Sequence, residues 1–414
     1  MAATNDAPVE PERIALALSG GGSRAIAFHL GCLRALHAEG ILERVQVISA
    51  VSGGSVLAAL YCSHNGDFPA FEASVRTLLA RGFIRPAIKT AVTTLEGLKA
   101  LLCVIPLAAI QCVTFLVRLA LRPLPKSLAL KARCEAWLRE PRMRRFSSRT
   151  TILRRVLSDA VFDRKMLPEL RNDRPKLIVV ACELRTKSAF YFSAGGVGSW
   201  RLGETDPRYI EIAHAVAASA AFPALLPALD EYLTFNQKGE SRRCRVILTD
   251  GGVYDNLGLA PLWPDRDPSV SLHAAKFDTI IACRAGYSLE ESPAPAFWPS
   301  RMMAVIESIH ARSQNFAMNR LFDLKKAGAL KGFIIPYLGQ ADDRLAFPPS
   351  DLVTTETTAA YPTDFSAMPV EWIERLSRRG QQLTVALLHE HLPHLTKITH
   401  DTTTRLDRRI SAPR

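Results

Sequence analysis

Ile14–Arg24 reads IALALSGGGSR, and Val45–Ser55 reads VQVISAVSGGS. Each is a short apolar run that stops at a cluster of glycines and serines. A stretch with apolar residues at helical spacing follows each one. Ile14–Leu18 and Val45–Val51 are read as buried strands, because short continuous apolar runs bounded by turn residues fit strands covered on both faces. Ala25–Ala35 follows the first as a helix that Gly40 ends, and Val56–Cys62 starts a second helix. Strand, small-residue turn and helix, twice over, predict an α/β protein with a mostly parallel sheet. Leu177–Cys182, Val246–Leu248 and Thr279–Cys283 extend that sheet, with Phe333–Ile335 as a shorter addition. Helical stretches lie around Pro299–Lys326 and Pro369–His391, and Met302, Met303 and Ile306 mark the first of these as core.

Three segments carry chemistry. Ser19-Gly20-Gly21-Gly22-Ser23-Arg24-Ala25 lies between strand and helix. Consecutive glycines leave backbone N–H groups unshielded, and the helix start adds a positive dipole end. Such a loop holds an anion, either a phosphate or the oxyanion of acyl transfer. Ala50-Val51-Ser52-Gly53-Gly54-Ser55 has the form of a nucleophile elbow, a tight turn that lifts a serine above the sheet edge. Ala50 stands where the GxSxG pattern has its first glycine. Asp250-Gly251-Gly252 follows the strand Arg245–Thr249 and puts a carboxylate where α/β active sites are built. Asp250 is placed to activate Ser52.

Taken in order, GGGSR at Gly20–Arg24, AVSGG at Ala50–Gly54 and DGG at Asp250–Gly252 resemble the patatin-like phospholipase family. Its pattern is a GGGxR loop, a GxSxG elbow and a DG[GA] motif. Ile26–Leu36 (IAFHLGCLRAL) is similar to the family's first helix, and Ala215–Pro227 (AVAASAAFPALLP) to its alanine/serine-rich segment. The resemblance covers roughly residues 12–62 and 176–285. It implies a three-layer α/β fold, a Ser52–Asp250 dyad in place of a triad, and no cofactor or metal. It also implies an oxyanion hole built from Gly20, Gly21, Gly22, Ser23 and Arg24, with the N–H groups around Gly21 and Gly22 as donors. Ala50, Gly53 and Gly54 would shape the elbow. The reaction implied is lipid ester hydrolysis through an acyl-enzyme. A transacylase with the same dyad is the nearest alternative; a catalytically silent membrane-associated binding protein on the same fold is the other.

Rival readings of these residues are weaker. Asp255 is a second carboxylate near Asp250, but it lies beyond the turn. His29 and His214 fit packed helix positions better than a third catalytic place, and Arg24 fits a structural role better than a lipid phosphate. The loop also matches GxGxxA, a dinucleotide fingerprint, but the second strand ends at Ser52 without the acid that fingerprint requires.

The domain is expected to span residues 12–400, with an inserted helical region at 83–150 and a polar tail at 401–414. Ala100–Val117 is apolar except for Pro106, Gln111 and Thr114. Between Arg118 and Arg155, twelve basic and two acidic residues give +10, most of the chain's net charge of +12. The apolar run is long enough to span a bilayer. One span would put Ser52 and Asp250 on opposite sides, so an interfacial element with basic flanks, facing an anionic membrane surface, fits better. The basic window lacks a nucleic-acid module or interleaved aromatics, so no nucleic-acid partner is expected. The eight cysteines form no CxxC pair, and the N-terminus has no apolar leader stretch. These features imply a cytoplasmic protein without disulfides, peripherally bound to membrane.

Overall fold

A computed structural model describes residues 12–397 except 124, 126–128, 140–144, 224, 270, 274, 287–295 and 360. The polar tail at 401–414 lies outside the described residues, as do Arg142 and Arg144 of the basic window.

Ten strands form one sheet: β1 (Ile14–Leu18), β2 (Val45–Ala50), β3 (Lys176–Glu183), β4 (Ser188–Ser193), β5 (Gly196–Ser199), β6 (Gly203–Thr205), β7 (Leu229–Gln237), β8 (Glu240–Asp250), β9 (Thr279–Cys283) and β10 (Gly332–Ile334). Their order is β10-β9-β1-β2-β3-β4-β5-β6-β7-β8. The five strands from β10 to β3 are parallel, as the two strand–turn–helix units predict. An antiparallel meander, β4 to β8, continues from β3.

The junction of the two parts builds the site. β4 occupies one edge of β3 from Val179 to Glu183. On the other edge β2 pairs with β3 up to Val179, opposite Ala50. β8 runs in from the opposite direction and pairs with β3 from Ala181, opposite Asp250. The C-terminal ends of β2 and β8 therefore meet head-on beside β3, and the residues that follow β2 face the last residue of β8.

Both faces of the sheet are covered. Side chains alternate along β1, with Leu16 and Leu18 entering one core and Ala15 and Ala17 the other. The first core is closed by α1 (Gly22–Ala38), α2 (Gly53–Ser63), α3 (Phe68–Arg81), α7 (Arg149–Ala160), α8 (Ile212–Ser219) and α12 (Val370–His391). The insertion contributes α4 (Ile84–Thr93), α5 (Leu95–Leu121) and α6 (Ala129–Arg139). The second core is closed by the segment after α9 (Gly252–Asp255) and by the C-terminal half of α10 (Trp298–Lys326), while α11 (Thr355–Ala359) precedes α12. α12 sits tightly on α1 because glycines meet there. A Cβ on Gly31 would lie 1.7 Å from the Ser377 carbonyl oxygen, and one on Gly380 would lie 2.1 Å from that of Phe28.

The expectation that the Pro299–Lys326 helix is core holds only for the inward face of its last turns. Leu321 and Leu324 are buried, whereas Met302, Val305, Ile306, Ile309 and Phe316 are exposed. The physical reason lies in the helix's position. The Arg284 guanidinium, one residue past β9, touches the Met318 sulfur at 3.3 Å. Met318 is thus level with the edge of the sheet where Ser52 lies. Residues 298–317 run past that edge for about 30 Å of helix, where the sheet offers nothing to cover them.

α5 is the one helix among the described residues long and apolar enough to cross a membrane. Of its 27 residues only Cys103 and Leu107 are buried. It too leaves from the edge that holds Ser52. α3 ends where Phe83 N–H bonds to the Phe365 carbonyl at 2.9 Å, and the neighbouring Asp364 carbonyl accepts from Ser23 N–H at 3.0 Å. At its other end the insertion returns through the capped start of α7, where Ser148 accepts from Thr150 N–H.

Candidate active site

Ser52 sits between β2 and α2 with φ 50° and ψ −120°. This backbone state costs a non-glycine residue on the order of 1–3 kcal/mol and persists only where the surroundings fix it. They do so here. Ser52 N–H donates to Ser219 Oγ at 2.9 Å, and that hydroxyl donates to the Val180 carbonyl at 2.6 Å. Val180 is the β3 residue in the gap between β2 and β8, so Ser219 fills the hydrogen-bonding vacancy at the junction. Ser55 Oγ donates to the Ser52 carbonyl at 2.6 Å. The turn is close to its neighbours: a Cβ on Gly53 would lie 2.2 Å from the Gly22 carbonyl oxygen, and one on Gly54 would lie 2.5 Å from that of Leu18.

Asp250 is the last residue of β8 and is 3% exposed. Its Oδ1 accepts from Gly252 N–H at 2.7 Å, and the Ser52 side chain stands close enough to favour the charged form of the same carboxyl. Burial pushes the carboxyl from its usual 3.8 up to about 7, opposed first by the Gly252 N–H and then by the Ser52 hydroxyl. The group thus titrates in the range where a general base works best. Asp255 does not compete for the part. Its carboxylate is spent on the backbone, accepting from Leu257 N–H at 3.2 Å, Gly258 N–H at 3.1 Å and Ala260 N–H at 2.6 Å.

The glycine loop divides into scaffold and free donors. Gly20 N–H bonds to the Asn256 carbonyl at 3.1 Å, and Ser23 N–H to that of Asp364 at 3.0 Å. Arg24 sends Nε to the Ala285 carbonyl at 3.2 Å and Nη1 to the Tyr361 carbonyl at 3.4 Å. Gly20, Ser23 and Arg24 therefore hold the loop in shape through these bonds. Gly21 (φ 144°) and Gly22 (φ 60°) keep N–H groups with no acceptor among the described residues, at the start of α1. Gly53 N–H, at the start of α2, is unengaged as well. Loop and serine are adjacent, since a Cβ on Gly20 would lie 3.3 Å from Ser52 Cβ.

The histidines take structural places. His29 is wholly buried in α1, and burial holds its pKa down at about 3, so it stays neutral. His214 Nε2 lies 2.9 Å from Glu231 Oε1, and the ring packs on Phe192. The sequence reading missed Ser219 and Asn256 as parts of the site. Ser219 lies in the alanine/serine-rich segment already singled out, as the one hydroxyl among small apolar residues.

Ala50 is fully buried, with its methyl in the first core. Ala50→Gly is expected to keep activity, since it only removes bulk. Ala50→Val adds two methyls to a closed core and should displace the elbow, costing about 1–3 kcal/mol of stability and most of the activity. Thermal melts and hydrolysis of a soluble ester check both variants.

A strained serine beside a buried carboxyl, with backbone donors that have no acceptor among the described residues, is an arrangement suited to nucleophilic acyl transfer. Residues 16–263 match the profile of the patatin-like phospholipases, and the chain belongs to that family, a family of lipid hydrolases. Among solved structures, the chain is similar to human GIVD cytosolic phospholipase A2. That match has a TM-score of 0.50 at 15% identity and covers 93% of this chain and 59% of that one. It is also similar to VipD from Legionella pneumophila, with a TM-score of 0.37 at 16% identity over 92% of this chain and 67% of that one. These likenesses are of fold alone, and the chain spans well under two thirds of the human enzyme's length. No curated protein matches the sequence.

Proposed function

We propose that the protein is a lipid acyl hydrolase, a carboxylic ester hydrolase with Ser52 as nucleophile and Asp250 as general base. The observation that carries this reading is the Ser52 side chain standing beside the buried Asp250 carboxyl, whose pKa burial raises to about 7. Ser52 Oγ attacks the ester carbonyl while its proton passes to Asp250. The N–H groups of Gly21 and Gly22 receive the oxyanion. The intermediate collapses to an acyl-enzyme, and Asp250 returns the proton to the departing alcohol. Water then attacks the acyl-enzyme, with Asp250 again as base. A fluorophosphonate probe should label the wild type at Ser52, with no labelling in Ser52→Ala. Labelling at another residue, or none, would overturn the assignment.

The substrate is proposed to be reached at an anionic membrane surface, with the protein cytoplasmic and peripherally bound. Two exposed apolar elements support this, one from each layer of the fold. α5 brings Leu101, Leu102, Ile105, Val113, Phe115 and Leu116, and the start of α10 brings Phe297, Trp298, Ile306 and Ile309. Both leave the body at the edge that holds Ser52. Aromatic residues at the tip of α10 suit the headgroup level of a bilayer. Arg118, near the end of α5, and Arg149, near the end of the insertion, are exposed. Replacing Arg142, Arg144, Arg145 and Arg149 with Gln is expected to weaken binding to anionic vesicles at least about tenfold, since each basic residue near such a surface contributes roughly 1 kcal/mol. Hydrolysis of a soluble ester should not change. Co-sedimentation across a salt series measures this, and wild-type protein that stays in the supernatant at low salt would refute the docking model.

A further inference from the structure

Arg284 follows the last residue of β9 and is only 8% exposed. Its guanidinium lies over the Tyr337 ring, 4.3 Å from the centroid. Among the described residues, Nη1 has the Met318 sulfur as its acceptor, a weak one, and Nε is buried without a partner. Among the described residues no carboxylate pairs with it; the neighbour that favours its charge is Tyr337. A buried cation without a counter-ion is costly unless an anion completes the site.

Two more unpaired polar groups lie on the same side. Met318, Gln314 and His310 are spaced by four residues, so they share one stripe of α10. Gln314 Oε1 and His310 Nε2 are both buried without a partner among the described residues. Burial first, and the Arg284 charge second, hold His310 below its usual pKa. Its neutral imidazole can donate or accept, and the Gln314 carboxamide can present its oxygen or its N–H groups. Among the described residues there is also room beside Nε: setting aside its own chain neighbours, a Cβ on Gly286 would meet no described atom within 4 Å except Arg284 Nε, at 3.6 Å.

The place is close to the dyad. Cys283 pairs with Leu18, and Leu18 with Ala50. Two strand spacings, about 10 Å, separate the end of β9 from the elbow. Ala285, the next residue, lies against the glycine loop: a Cβ on Gly21 would be 3.6 Å from that of Ala285.

We propose that Arg284, with Gln314 and His310 beside it, binds a phosphate group, and that this is the headgroup phosphate of a phospholipid whose ester lies at Ser52. The headgroup assignment rests on the reading of Ser52 as the nucleophile; the anion site itself does not. The fork of Nε and Nη donors matches a phosphate's oxygens, and the separation from the elbow suits the few bonds between a glycerol ester and the phosphodiester.

Two measurements test it on the full-length chain and on Arg284→Gln and Gly286→Val. Gly286→Val fills the room and leaves the cation. First, inorganic phosphate is expected to raise the melting temperature of the wild type by about 2 °C, and neither variant should respond. Second, phosphatidylcholine and a diacylglycerol with the same acyl chains are compared in neutral detergent micelles. Both variants should lose at least about tenfold in kcat/KM on the phospholipid and keep their rate on the glyceride. A phosphate shift that is absent, or that survives in both variants, overturns the site. A shift abolished in both variants while the phospholipid-to-glyceride ratio stays constant overturns the headgroup assignment and leaves a site for free anions. Loss of all esterase activity in the wild type, with the phosphate shift intact, would count against the dyad and not against the anion site.

Discussion

Ser52→Ala and Asp250→Asn are each expected to cut hydrolysis of a soluble short-chain ester by roughly a thousandfold or more, and the double variant should be no slower than either single one. Groups that act as one unit lose their whole contribution when either is removed. Ser52 is the side chain that favours the charged form of Asp250, so the two act on one proton. The fold should survive both changes, because the elbow is held by Ser219 and Ser55 through the backbone of Ser52 and not through its hydroxyl. The check is steady-state kinetics beside circular dichroism on the same preparations. Additive losses in the double variant would mean that the two residues work separately.

The second large effect is on pH. Asp250 must be ionised to take the Ser52 proton, and its carboxyl is raised to about 7. kcat/KM on a soluble, uncharged ester should therefore fall about tenfold for each pH unit below that value and level off above it. A flat profile between pH 5 and 7 would refute Asp250 as the base. The same shift bears on stability with a definite sign. The folded value lies above the usual 3.8, so the folded state holds the proton more tightly than the unfolded chain. Ionised Asp250 thus works against folding. The penalty is absent at pH below 3.8, grows as the pH rises, and is complete above 7. Asp250→Asn should accordingly melt higher than the wild type at pH 8, and the two should converge near pH 4.

The parallel half of the sheet was legible because its strands are buried on both faces and read as unbroken apolar runs. Ile14–Leu18 and Thr279–Cys283 carry the expected bounds. The meander was not legible. β7 reads LDEYLTFNQ, with most side chains partly or fully in solvent, and the start of β8 reads ESRRC. Only Val246–Leu248, the segment that enters the core, gave a signal. The turn between them, Lys238-Gly239, has positive φ at both positions, the geometry of a two-residue hairpin. Lysine in the first of these positions hid it. At the site, the residue types of the dyad and loop could be read, because only glycine tolerates the contacts that Gly53 and Gly54 make. The division of the loop could not, since it depends on Asp364 and Asn256 carbonyls brought in from distant parts of the chain. The exposure of α10 was also hidden, because periodicity shows that a helix has an apolar face and not what meets it.

The head-on meeting of β2 and β8 has a consequence for the order of assembly. Neither strand touches the other until β3 has aligned both, and more than a hundred residues separate β2 from β3. Closing so long a loop precedes any reward from the pairing, so this step should be slow compared with helix formation. During refolding, far-UV circular dichroism should recover first and esterase activity last. A chain interrupted before β8 would carry Ser52 and its elbow but no base. A nascent or truncated form would therefore be silent toward lipids, and the hydrolytic power of the molecule would be switched on by the completion of its own sheet.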